Sequence, residues 1–68
     1  MTELLFLVEE SAEGGWTARA MGESIYTDAD TLEELRENIK DAVLCHFEEG
    51  SVPRMIRLHV VKEEIVAL

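Results

Sequence analysis

The 68 residues make one domain, and a lone chain of this length buries only about 60% of its unfolded surface, so oligomerisation is the expected source of further core. Fifteen acids against six bases give a formal charge of −9, which opposes the phosphate contacts of a nucleic-acid binder and suits steering of a basic protein. Cys45 is the single cysteine, which excludes an internal disulfide and fits a reducing cytosol.

MTELLFLVEE lacks the basic start and small-residue cleavage site of a leader, and no apolar run approaches the roughly 18 residues that span a bilayer. A cytoplasmic protein, away from membranes, is the expectation. The charge is uneven: residues 1–34 hold nine acids and one base (Arg19), net −8, whereas residues 35–68 hold six acids and five bases, net −1.

Leu4–Val8, LLFLV, is a continuous apolar run whose length suits a strand covered on both faces. SAEGG at 11–15 is a turn, with two glycines free to take positive φ. Trp16–Met21 follows as a strand with Trp16, Ala18 and Ala20 on one face. Gly22-Glu23 makes a second tight connection, and Ser24–Thr27 a third short strand, so the chain begins as an antiparallel meander.

YTDADTLEELRENIKDAV then turns from strand to helix. Asp28, Asp30 and Thr31 are all able to cap it. Thr31 is the best placed, because Glu34 stands three residues on and completes a capping box, while Glu33 and Glu34 meet the positive end of the helix dipole. Leu32, Leu35, Ile39, Ala42, Val43, His46 and Phe47 recur at spacings of three and four, which marks the buried face. Gly50 as the residue past the C-cap, with Pro53 beyond, predicts a helix from about residue 32 to about 49.

Met55–Val61 alternates Ile56, Leu58 and Val60 with Arg57 and His59 and is the last strand. Ile65, Val66 and Leu68 follow it, and so apolar a segment is expected to pack or to extend the sheet. A meander, then a right-handed crossover through the helix, places strand 4 parallel to strand 1. The predicted fold is α+β: a single β-β-β-α-β domain over residues 1–68, with a mixed four-stranded sheet in the order 3-2-1-4. One helix covers one face, and the other face is bare in a monomer.

No catalytic or metal constellation emerges. Cys45 and His46 are adjacent on a helix and point about 100° apart, which suits neither shared metal ligation nor a nucleophile–base pair, and His59 is distant in sequence. Ser11, Ser24 and Ser51 lie beside turns without a nucleophile elbow. Gly14-Gly15 leads into a strand rather than a helix, and Asp28 and Asp30 precede the helix, so no phosphate cradle forms. A ribonuclease H core begins with the same element order, but LLFLV and MIRLHVV lack the central acids of its two-metal chemistry. The expectation is a non-enzyme with no cofactor and no metal.

Gly15, Trp16 and Ala18, followed by Thr31-Leu32-Glu33-Glu34, Asn38 and Lys40-Asp41-Ala42-Val43, form a pattern that resembles the N-terminal domain of HicB-type antitoxins across residues from about 4 to 61. Two departures stand out. Met21-Gly22-Glu23-Ser24 replaces that family's Pro-Gly-Cys-like segment, and the 68 residues contain no helix-turn-helix or ribbon-helix-helix. The resemblance therefore implies a truncated ribonuclease-H-like fold without nuclease activity, and toxin neutralisation, but not transcriptional autoregulation. A small basic ribonuclease toxin of the HicA type is the implied partner. Glu9, Glu10, Glu13, Glu23, Asp28 and Asp30, on loops and strand ends, are the candidate contacts. The alternative is an orphan homo-oligomer, a dimer or tetramer, associating through Leu44, Cys45, Met55, Ile65, Val66 and Leu68.

Overall fold

The computed structural model describes residues 2–68. Strands β1 (Glu3–Glu10), β2 (Trp16–Ala20) and β3 (Tyr26–Ala29) form the meander; α1 (Leu32–His46) and β4 (Met55–Val61) follow. The sheet order is β3-β2-β1-β4, with β1 antiparallel to β2 and parallel to β4. The mixed α+β sheet is therefore the one expected from the handed crossover.

Register decides what each face carries. Phe6 pairs with Ala20 and Leu58, and Val8 with Ala18 and Val60, so these residues share the helix side of the sheet. Leu4, Phe6, Val8, Ala18, Ala20 and Ile25 are buried there against Leu35, Ile39 and Val43 of α1. The two alanines of β2 leave room for the helix, whose backbone approaches closest over β2 and β3. β4 lies outside that footprint: Ile56 and Leu58 are half-buried and Val60 is 46% exposed, although all three face the helix side.

The β1–β2 turn is closed by the Ser11 amide donating to the Gly15 carbonyl at 2.9 Å. Gly15 sits at φ 82°, and a Cβ there would meet the Ala29 carbonyl oxygen at 2.9 Å. Only glycine permits both this backbone conformation and this close approach of the turn to β3.

Five expectations are corrected. The apolar run of β1 is covered on one face only, because Leu5 and Leu7 alternate onto the open side. β2 stops at Ala20 rather than Met21, although the Met21 amide still donates to the Leu5 carbonyl at 2.8 Å. β3 begins two residues late, at Tyr26, because Ile25 turns into the core. The helix ends at His46, with Phe47 as an extended C-cap whose amide donates to the Val43 carbonyl. Gly50, at φ 93°, instead supplies the third position of the turn closed by the Ser51 amide on the Glu48 carbonyl, where positive φ is required. Lastly, Lys62–Leu68 neither packs nor extends the sheet. Fourteen extended residues from Met55 to Leu68 span about 46 Å, and the molecule measures 52 Å along its long axis against 18 Å on the others. The segment therefore runs straight on from β4.

Candidate protein-interaction surfaces

A meander alternates its turns between the two ends of the sheet, and this sorts the acidic candidates. The β1–β2 turn and the β3–α1 junction lie at one end. Glu9 is in register with Thr17 and Asp28 on the open face, and Thr17 Oγ1 donates to the Glu9 carbonyl at 3.5 Å. Glu10 is in register with Trp16 and Ala29 on the helix face. Glu13, Asp28 and Asp30 border one shallow cleft of about 310 Å³ together with Trp16 and Tyr26. Five acids thus share this end of the sheet, three of them on the border of the cleft, and all five are exposed. Tyr26 is 63% exposed and Trp16 half-buried.

Glu23 does not join them. It lies in the β2–β3 connection at the other end of the sheet, where its Oε1 stands 3.1 Å from His46 Nε2 in the last turn of α1. His46 is therefore an exposed partner for Glu23 rather than a packed residue, and its ring meets Phe47 edge-on at 5.0 Å.

Thr31 is extended at φ −128° and its Oγ1 accepts the Glu34 amide at 3.1 Å, so it caps the helix. Only half of the capping box is made: among the described residues the Glu34 carboxylate does not return a bond to the Thr31 amide.

The open face of the sheet carries Leu5, Leu7 and Met21 around a small hollow with His59, with Met55 beside Glu3 at the start of β4. Leu5, Met21 and Met55 are 38%, 49% and 64% exposed. On the same face Arg57 donates to the Glu3 carboxylate, which raises the guanidinium above its ordinary value, first through that hydrogen bond and then through its charge. The six residues expected at an oligomer interface do not form one patch. Met55 is on the open face, Leu44 borders the space between α1 and β4, Cys45 is exposed on α1, and Ile65, Val66 and Leu68 are on the segment past β4. Leu5 and Leu7, half-hidden in an all-apolar run, were not among the expected contacts; strand alternation within LLFLV is the signal that points to them.

Among the described residues no group of three or more His, Cys, Asp or Glu is placed to hold a metal ion. No helix among them is long and apolar enough to cross a membrane.

The chain is 60% identical over 52 residues to a UPF0150 protein of Archaeoglobus fulgidus, an alignment covering 76% of this chain and 77% of the relative. It is 44% identical over 66 residues to a UPF0150 protein of Thermotoga maritima, covering 97% of this chain and 93% of the relative. No protein-family model matches the chain, and no solved structure matches it.

Proposed function

The chain belongs to the UPF0150 family, and we propose that it is a non-enzymatic protein-interaction module of the cytoplasm whose acidic sheet end binds a small basic ribonuclease toxin, as the resemblance to HicB antitoxin domains implies. The observation that carries this reading is the placement of Glu9, Glu10, Glu13, Asp28 and Asp30 at one end of the sheet, where Glu13, Asp28 and Asp30 border a cleft also lined by Trp16 and Tyr26. Like charges so close cost little in water but raise the negative potential over the whole end, which speeds and orients the approach of a basic surface. Arginines and lysines arriving there also find the exposed Tyr26 ring to lie against. A toxin held this way has its RNA-binding surface covered, and inhibition needs no chemistry from the module itself.

The test is capture from cell lysate at low ionic strength, followed by a high-salt wash. The expected result is a small basic protein retained at low salt and released at high salt, with ribonuclease activity appearing on release. Recovery of the protein alone counts against this function.

The second reading, an orphan homo-oligomer, is favoured by the uncovered apolar side chains of Leu5, Leu7, Met21 and Met55 on the open sheet face. Salt-insensitive self-association that persists on dilution, with no other protein captured, supports it.

A further inference from the structure

We propose that the groove between α1 and β4 is a docking site for residues 63–68 of a second copy of this chain, so that two copies exchange the segments that follow β4. The helix footprint stops short of β4, and the gap is an apolar groove floored by Ile39, Ile56 and Leu58. It continues past Val43 and Leu44, in adjoining parts of about 160 Å³ and 400 Å³ that share Lys40 and Ile56. The rim is basic. Arg36, Lys40 and Arg54 border it, half of the six bases in a chain of net charge −9.

The segment past β4 has the complementary pattern. Glu63 and Glu64 precede Ile65, Val66 and Leu68, and the whole segment is exposed. The lengths agree as well: α1 rises about 12 Å from Arg36 to Leu44, and an extended chain spans about 10 Å from Ile65 to Leu68. In an extended segment Val66 and Leu68 share the side that meets the apolar floor, with Glu63 and Glu64 directly before them for the basic rim.

A copy does not reach its own groove. β4 runs parallel to β1, so Val61 stands beside Glu9 at the acidic end, away from the stretch of groove near Arg54 and Leu44. Folding back would require a reversal directly after Val61, in Lys62-Glu63-Glu64, which holds neither glycine nor proline. Repulsion from Glu9 and Glu10 also drives Glu63 and Glu64 outward. A second copy accepts the segment without any reversal, and two-fold symmetry lets each copy give one and receive one. The groove shares no residue with the acidic cleft, so this inference stands or falls separately from toxin binding.

Sedimentation equilibrium over a concentration series tests it, with far-UV circular dichroism to confirm the fold. The wild type is expected to be a dimer at micromolar concentration, and I65D/V66D/L68D, altered only at exposed positions, a folded monomer. R36E/K40E and E63K/E64K are each expected to dimerise at least about tenfold more weakly than wild type. Mixed together, these two restore the dimer, because each acidic segment then meets a basic groove and each basic segment an acidic one. A wild type that stays monomeric overturns the proposal, as does a triple variant that keeps the wild-type mass. So does a mixture that fails to regain the dimer.

Discussion

The side-chain amide of Asn38 donates to the backbone carbonyl of Asp28 at 3.0 Å, fastening the middle of α1 to the edge strand β3. One bond thereby links the element that caps the sheet to the strand that carries one of the clustered acids. Asn38→Ala is expected to cost about 1 kcal/mol, toward the low end because the site is exposed and water takes over the freed carbonyl. Urea denaturation measures it, and an unchanged midpoint would show that the bond holds nothing.

Thr31→Ala removes the acceptor of the Glu34 amide at the helix start. The expected cost is about 1 kcal/mol, which in a domain of this size lowers the thermal midpoint by roughly 4–8 °C. Thr31→Ser keeps the acceptor and is expected to retain most of the stability. Because Glu34 does not complete the box, Glu34→Gln is expected to change stability by less than Thr31→Ala does.

Gly14 and Gly15 both have positive φ but differ in surroundings. A Cβ on Gly14 meets nothing within 4 Å, whereas one on Gly15 meets the Ala29 carbonyl oxygen at 2.9 Å. Gly14→Ala is expected to cost about 1 kcal/mol from backbone strain alone, and Gly15→Ala at least about 2 kcal/mol because contact is added to strain. Paired urea curves decide it; equal costs would mean that the approach of the turn to β3 relaxes freely.

Most of the fold was readable because its signals are local. The alternation in MIRLHVV placed β4 at the same Met55–Val61 that the structure has, and Thr31 with its following acids placed the helix start. The handed crossover then left one strand order. The helix end misled because Gly50 carries the positive φ of a C-cap glycine but uses it in the turn after Phe47. An apolar run such as LLFLV does not say which faces are covered, since that depends on where the helix lies. Nor does an apolar segment such as Ile65–Leu68 say whether its partner lies within the same chain.

The acidic site was legible as residues but not as a place. Glu23 looked equivalent to its fellows in the sequence, and only the position of its turn separates it. Counting turns along the meander would have placed it at the far end of the sheet. Trp16 and Tyr26 went unassigned because each reads as an ordinary strand residue until the folded chain puts both on the border of a cleft with Glu13, Asp28 and Asp30. Arg36 and Lys40 were likewise overlooked, although their spacing of four sets them on one edge of the helix.

Glu23 provides an internal control for function. Its carboxylate is engaged by His46 at the end opposite the cleft. Glu23→Gln is expected to leave affinity for a captured basic partner unchanged, as measured by titration calorimetry at low salt. A loss as large as that caused by changes at the cleft would mean that the contact surface extends over the helix end.

The most direct measurement compares that partner's affinity for the wild type with its affinity for a variant carrying Glu9→Gln, Glu10→Gln, Glu13→Gln, Asp28→Asn and Asp30→Asn. All five positions are exposed, so the fold is expected to persist. Loss of affinity by at least about tenfold, with the salt dependence flattened, is the predicted result. Equal affinity for both proteins would contradict the claim that the acidic end is the binding surface.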